Sequence, residues 1–93
     1  MAGGFTQHHP ISDEDQQLAD SIKSLVQEHS LKTFDKFQVL SHESQVVAGI
    51  NHRLRIQVHD LECIHVKVFE GLDGQFTVQQ VALGKSIQDA WSL

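Results

Sequence analysis

The sequence predicts a single α+β domain in which one long helix packs on an antiparallel sheet of four strands. The chain has 93 residues, a length that suits one compact domain. Residues 13–30 repeat apolar side chains with the helical period, whereas four later segments alternate apolar and polar side chains with the period of a strand. Short turns join these segments, so neighbouring strands should pair antiparallel, because parallel neighbours need long crossover connections. A two-layer domain follows.

Residues 1–10 are expected to form a flexible N-terminal arm ahead of the helix, because adjacent glycines make this stretch slender. Ser12 is a candidate N-cap residue, since its hydroxyl can satisfy a free N–H of the first turn. Acidic residues at 13–15 place negative charge at the positive end of the helix dipole. The helix is therefore predicted to begin at Asp13.

The helix is predicted to end at about Ser30 and to be amphipathic. Apolar residues recur at i, i+4, i+7 and i+8, and polar side chains lie on the opposite face. The face expected to pack on the sheet is formed by Leu18, Ile22, Leu25 and Val26 and is continued by His29.

Four strands are predicted after the helix, in the ranges 33–46, 50–59, 63–69 and 76–83. In the last of them the apolar phase slips between Val78 and Val81, which indicates a bulge or an edge position. The tail from residue 84 onward has no clear period. Its single tryptophan, Trp91, is as well suited to burial against the sheet as to contact with a partner.

Charge and cysteine content narrow the possible partners and the compartment. Seven Lys and Arg against twelve Asp and Glu give a net charge of −5, which is the wrong sign for binding nucleic acid phosphates. The single cysteine, Cys63, has no partner for an internal disulfide, and no signal peptide or membrane-spanning run is present. We therefore expect a soluble cytoplasmic protein that binds neither nucleic acid nor membrane, with signal-independent export left open.

The connection between the first two strands is unusual for a hairpin turn. It reads Gln45-Val46-Val47-Ala48-Gly49, whereas hairpin turns favour Asn, Asp and Gly. An exposed apolar tip usually exists to be buried by something else. These five residues match the first-hairpin signature of the cystatins, which inhibit papain-like cysteine proteases, and the chain resembles that family.

Other segments extend the resemblance to the stefins, the single-domain cystatins without disulfides. The glycine pair of the arm lies at the stefin distance from the first hairpin, and residues 65–69 and 71–75 are similar to a stefin strand and its second hairpin. The resemblance covers essentially residues 1–93 as one domain. It implies the cystatin fold, with one long helix packed on a four- to five-stranded antiparallel sheet.

The resemblance also implies a function, namely reversible, tight-binding inhibition of papain-like proteases of the cathepsin L, B, H and S type. In that family the arm, the first tip (residues 45–49) and the second tip (residues 72–74) align at one edge, here called the wedge, and plug the protease cleft. A wedge contains no catalytic group and no cofactor, so an enzyme is not expected. A non-inhibitory binding module on the same fold is the alternative. The implied protease-binding residues are Gly3, Gly4, Phe5, Gln45, Val46, Val47, Ala48, Gly49, Leu72, Asp73 and Gly74.

The chain departs from the stefins at two places. Asp73 stands where stefins commonly carry proline, which predicts a more flexible second tip and a weaker contact there. The tail is shorter than in stefins, so the resemblance does not assign it a contact with the protease. Leu72 is expected to be exposed at the second tip rather than folded into the core.

The first tip also predicts a second association state. Val46 and Val47 are poor turn residues, because β-branching restricts the backbone conformations of a tight turn. Opening a strained tip into one continuous strand would let two chains exchange the helix and first strand, and the stefin resemblance implies the same. We expect a monomer that can form a domain-swapped dimer unable to inhibit.

Seven histidines and one cysteine invite other hypotheses. His8 and His9 on the arm, with His52 and His65 on neighbouring strands, lack the spacing of a metal site, so none is expected. Cys63 and His65 share a strand face but lie about 7 Å apart at Cα, which favours a passive thiol. If exposed histidines such as His8, His9 or His52 border the interface, affinity for a protease should depend on pH.

Overall fold

The computed structural model describes residues 4–91, which form one helix and a five-stranded antiparallel sheet. The strands lie in the sheet in chain order, so every neighbour is also a sequence neighbour among the strands. The predicted α+β arrangement is confirmed, and the fifth strand comes from the arm. The elements are β1 (Thr6–Gln7), α1 (Asp13–Ser30), β2 (Gln38–Val47), β3 (Gly49–Gln57), β4 (Glu62–Glu70) and β5 (Phe76–Ser86).

The helix begins where the sequence predicts, with Ser12 as the N-cap residue. Asp15 reaches back to it: Asp15 Oδ2 accepts hydrogen bonds from the backbone N–H of Ser12 at 2.8 Å and from its hydroxyl at 3.1 Å. The helix ends at Ser30, and the next residue, Leu31, caps it with a left-handed φ of 58°. The N–H of Lys32 then bonds to the carbonyl of Gln27 at 3.2 Å, which satisfies a carbonyl of the last turn.

The buried stripe of α1 differs from the predicted one. Ala19, Ile22 and Val26 are fully buried, while Leu18 is only partly buried beside them. The prediction that His29 continues the buried face is wrong, because His29 is exposed. It lies in the last turn, where an imidazole in solvent can complement the negative end of the helix dipole.

The first long strand is shorter than predicted, since β2 begins at Gln38 and not at residue 33. Residues 31–37 instead connect the helix to the sheet, and the helix supplies hydrogen bonds to the end of this stretch. The side chain of Gln16 donates to the carbonyl of Phe37 at 2.7 Å and accepts from the N–H of Val39 at 2.9 Å. Period-two alternation in the sequence could not reveal where β2 begins, because the backbone groups at this point are hydrogen-bonded by a helix side chain and not by another strand.

The predicted irregularity in the last strand is confirmed. β5 is an edge strand, and its pairing with β4 shifts register, because Lys67 faces Gln80 while Val68 faces Val78. One extra residue of β5 therefore lies between these pairs, as in a β-bulge. The shift keeps both Val78 and Val81 packed against the core.

The helix covers one face of the sheet, and apolar residues of the helix and of the strands pack between them. The buried core consists of Ala19, Ile22, Val26, Phe37, Val39, Leu54, Ile56, Val58, Ile64, Val66 and Val68. On the opposite, open face the tail returns across the sheet, and the ring of Trp91 lies 5.1 Å from that of His65. Among residues 4–91 no helix has the length and apolar character needed to cross a membrane.

Candidate functional site

The arm and the two tips come together at one end of the sheet. β2 ends at Val47 and β3 begins at Gly49, and Ile50 at the start of β3 pairs with Glu70 at the end of β4. The two hairpin tips are therefore side by side. Thr6 pairs antiparallel with Ser44, so the residues before Thr6 run toward the first tip. Strand pairing alone thus builds the wedge from three separate segments.

The first tip presents apolar side chains to solvent. Val46 is 74% exposed and Val47 is 40% exposed, and Ala48 beyond them is also exposed. The expectation that the two valines occupy the turn is wrong, since both belong to β2 and the chain bends at Ala48. β-Branched residues are favoured in strands, so the valines are not the source of strain here.

Gly49 makes this tight bend possible. Its φ is +121°, which L residues with side chains rarely adopt. A methyl group at this position would lie 2.5 Å from Cζ of Phe69 and 2.6 Å from the carbonyl oxygen of Glu70. The backbone of β3 therefore approaches β4 as closely as it does only because residue 49 has no side chain.

The second tip is a closed turn with an exposed leucine. The N–H of Gly74 donates to the carbonyl of Gly71 at 2.9 Å, and Leu72, between them, is 87% exposed. Asp73 Oδ1 accepts a hydrogen bond from the N–H of Gln75 at 3.0 Å. Asp73 thus supplies a turn-stabilising hydrogen bond in place of the conformational restriction that proline would give.

The arm reaches the wedge with little side-chain bulk. Gly4 is exposed, and a methyl group added to it would meet nothing within 4 Å. Phe5 is partly buried, with the guanidinium carbon of Arg53 4.3 Å from its ring centroid. Gly3, which the resemblance assigns to the protease-binding set, lies outside the described residues.

A line of hydrogen-bonded polar groups lies beneath the arm, between the helix and the sheet. His42 Nδ1 is 2.6 Å from Asp15 Oδ1, and His42 Nε2 is 2.8 Å from His52 Nδ1. His52 Nε2 is in turn 2.9 Å from Glu70 Oε1. The ring of His8 stacks on that of His42 at 4.0 Å. We call these five residues the histidine chain; it links the arm to the helix and to β2, β3 and β4.

Burial and hydrogen bonding set the protonation of two members of this chain, His42 and Asp15. Burial lowers the pKa of His42, and the neighbouring His8 and His52 lower it further, against the opposing hydrogen bond to Asp15. Burial alone would raise the pKa of Asp15, but its hydrogen bonds with His42 and Ser12 outweigh that effect and hold the pKa below its ordinary value. An ionised Asp15 beside a neutral His42 is therefore the favoured pair.

The histidine chain also corrects one expectation about exposure. His52 is only 6% exposed, so it does not border an interface, in contrast to the exposed His9 and the partly exposed His8. The signal was present in the sequence, because His52 occupies an apolar position of the β3 alternation. A polar residue at such a position indicates a buried partner.

One trio within this chain has ligand atoms close enough to suggest a metal ion: His8, Asp15 and His42, within 4.8 Å of one another. The two imidazole rings are stacked, with only 14° between their planes. An imidazole nitrogen binds a metal in the plane of its ring, so stacked rings do not direct two lone pairs at one ion. We therefore interpret the trio as a hydrogen-bonded pair, His42 and Asp15, with the ring of His8 stacked on that of His42.

The pair of Cys63 and His65 does not form an activated nucleophile. Both residues are fully buried on β4, and burial raises the pKa of the Cys63 thiol. Burial, followed by the charge of Arg55, lowers the pKa of His65, and Arg55 Nε donates toward His65 Nε2 at 3.4 Å. The thiol is thus held in its unreactive form.

Comparison with known proteins identifies the family. The family model described as the cystatin domain matches residues 3–86. Cystatin-A of Felis catus is 38% identical over 92 residues, which cover 96% of this chain and 94% of the cat protein. Leukocyte cysteine proteinase inhibitor 1 of Sus scrofa is 36% identical over 81% of this chain and 73% of its own length. Stefin-3 of Mus musculus is 37% identical with the same coverage of both chains.

The family-model match spans the wedge segments and the whole sheet, and two of the similar proteins carry the names cystatin-A and stefin-3. The chain belongs to the cystatin family, in its stefin branch.

Proposed function

We propose that this protein is a reversible, tight-binding inhibitor of papain-like cysteine proteases that inserts its wedge into the active-site cleft. Members of the cystatin family inhibit proteases and are not enzymes, and one relative is named a cysteine proteinase inhibitor. The observation that carries the proposal is the exposure of large apolar side chains at both tips, Val46 at 74% and Leu72 at 87%. Exposed apolar groups gathered at one edge are typical of a surface that a partner buries.

The geometry of the tips suits an inhibitor that is not cut. The first tip bends at Ala48, and the second is closed by the hydrogen bond between Gly71 and Gly74. A protease cleaves an extended segment laid through its cleft, whereas a closed turn blocks the cleft without offering a bond in that conformation. The arm, with the exposed Gly4 ahead of β1, is the segment suited to an extended path beside the turns.

The test is a titration of papain and of a cathepsin with the purified protein. We expect stoichiometric loss of protease activity, and recovery of activity after dilution, because no covalent bond forms. Val46→Asp and Leu72→Asp should each raise the inhibition constant at least tenfold, since burying an unpaired carboxylate is unfavourable.

Leu61→Asp is the matched control. Leu61 is 78% exposed but lies between β3 and β4, at the end of the sheet opposite the wedge. This variant should inhibit like the original protein. Equal losses in all three variants, or no inhibition by a protein whose circular dichroism shows the intact fold, would refute the proposal in favour of a non-inhibitory binding module.

The proposal includes a monomer as the inhibitory form and the cytoplasm as its location. The location rests on the single buried thiol, Cys63, since small exported domains generally rely on paired cysteines. Immunofluorescence of the tag-free protein in its source cells tests this part independently of the inhibition assay.

A further inference from the structure

Aromatic and cationic side chains form a continuous stack on the open face of the sheet and reach Phe5 of the arm. The guanidinium carbon of Arg53 is 4.3 Å from the ring centroid of Phe5 in the arm and 5.0 Å from that of Trp91 in the tail. Arg55 is 4.9 Å from the same tryptophan ring. Arg53 is thus the one side chain that these contacts place against both the arm and the tail.

Arg53 is held by the sheet independently of these rings. It faces Glu43 across the β2–β3 pair, and its Nε donates to Glu43 Oε1 at 2.6 Å. Both side chains are about one-fifth exposed, 21% and 20%. The planar guanidinium therefore has a fixed position, and aromatic rings can stack on it at little entropic cost.

The tail is also held by hydrogen bonds ahead of Trp91. The side chain of Arg55 donates to the backbone carbonyl of Asp89, and the Asp89 carboxylate accepts from the N–H of Ser86 at 2.8 Å. Trp91 follows two residues later and lies against His65, with 5.1 Å between ring centroids. These contacts fix the tryptophan against the sheet, so it can support a neighbouring group.

The backbone of the arm, by contrast, is bonded to the sheet over a short stretch, which consists of β1 and the N–H of His8, a donor to the carbonyl of His42 at 2.9 Å. β1 is only two residues long, Thr6–Gln7, and Phe5 precedes it. A two-residue ladder leaves the preceding segment free to pivot unless a side chain holds it. Phe5 is such a side chain, since its ring packs against the guanidinium of Arg53.

We propose that Arg53 and Trp91 are positioning residues for inhibition, which together form a seat for Phe5 and direct Gly4 along the wedge. This proposal rests on the proposed function, because it explains how the arm is aligned before the protease arrives. Holding a binding segment in its bound direction raises affinity by reducing the entropy lost on binding. The tail thus acts through the arm and not by touching the protease.

The seat can be tested first without a protease. Trp91 is the single tryptophan, so acrylamide quenching of its fluorescence reports directly on its shielding. Arg53→Lys keeps the charge beside Glu43 but removes the planar stacking group, and Phe5→Ala removes the ring of the arm. Both should increase the quenching constant about twofold, whereas Leu72→Ala at the second tip should not change it. Unchanged quenching in both variants would refute the proposed packing of Phe5 on Arg53 and Trp91, whether or not the protein inhibits a protease.

The inhibition constant for papain then tests the role of the tail. Trp91→Ala should raise it about two- to fivefold, the factor that corresponds to one cation–π contact, and Trp91→Phe should restore most of the loss. In the Phe5→Ala background, Trp91→Ala should have no further effect, because the ring that it supports is gone. An equal effect in both backgrounds would show that the tail contacts the protease directly and would overturn the positioning role.

The two experiments separate this proposal from the proposed function. If the original protein fails to inhibit papain, the proposed function fails, and the quenching series still decides whether the arm is seated on Arg53. If inhibition is strong but the double variant is additive, the proposed function holds and the positioning role fails.

Discussion

Replacing Gly49 with alanine tests the construction of the first tip. The added methyl group would meet Cζ of Phe69 at 2.5 Å and the carbonyl oxygen of Glu70 at 2.6 Å. The phenyl ring can move, but the carbonyl belongs to the backbone of β4, so relief requires the hairpins to separate. The φ of +121° adds a conformational penalty that does not depend on space.

The two penalties can be added because they arise from different causes. A side chain in a sparsely populated backbone region costs about 1–3 kcal/mol, and overpacking a close contact costs about 1–3 kcal/mol more. We therefore expect Gly49→Ala to lower the free energy of unfolding by about 2–6 kcal/mol. A domain of this size has a total stability on the order of 5–15 kcal/mol, so the variant should be folded but clearly weakened.

The matched control is Gly74→Ala at the second tip. Gly74 also has a positive φ, of +80°, but a methyl group there would meet nothing within 4 Å. Only the conformational cost should apply, about 1–2 kcal/mol. Urea unfolding followed by circular dichroism gives both values. A Gly49→Ala variant no less stable than Gly74→Ala would refute the close approach of β3 to β4, and with it the proposed shape of the first tip.

Three further predictions concern pH, the arm and association. The pKa of His42 lies below its ordinary value, so below about pH 6.5 the unfolded chain binds more protons, and stability should fall as the pH drops through that range. Urea midpoints at pH 7.5 and 5.0 should show this fall, and His42→Gln should reduce it. Gly4→Glu should raise the inhibition constant for papain while leaving the urea midpoint unchanged, because residue 4 is exposed with open space around it; an unaltered constant would show that the arm is dispensable. Mild heating should give a dimer on size-exclusion chromatography that inhibits papain poorly, and Val47→Asn should lower its yield, because asparagine favours turns over extended strands. A dimer that inhibits as well as the monomer would mean that association uses another surface.

Local sequence patterns predicted the secondary structure well where each residue's role depends on its neighbours along the chain. The helix start at Asp13 follows from the capping residue and the acidic first turn. β3 follows from strict alternation, and the slip between Val78 and Val81 follows from the bulge. The start of β2 could not be predicted in this way, because the Gln16 side chain satisfies the adjoining backbone from another element.

The candidate site, too, was predicted from the sequence only in part. The apolar first tip is visible in the sequence because a hairpin turn has strong local preferences that these residues break. The residue at which the chain bends was not visible in the sequence. Only the observed register assigns both valines to β2 and the positive φ to Gly49, since a strand may end at any of several positions without changing the pattern.

The sequence by itself determined the order of the helix and the four long strands and a family resemblance that implies the wedge residues, because these depend on side-chain period, turn chemistry and short motifs. Only the tertiary structure decided which side chains meet across the sheet. The buried line from Asp15 through His42 to His52 and the stack of Arg53 on Phe5 and Trp91 join residues far apart in the chain. The stabilisation that these contacts provide depends on distance and burial, which are set by how the strands pair and how the helix packs. No local pattern in the sequence predicts which of these side chains meet.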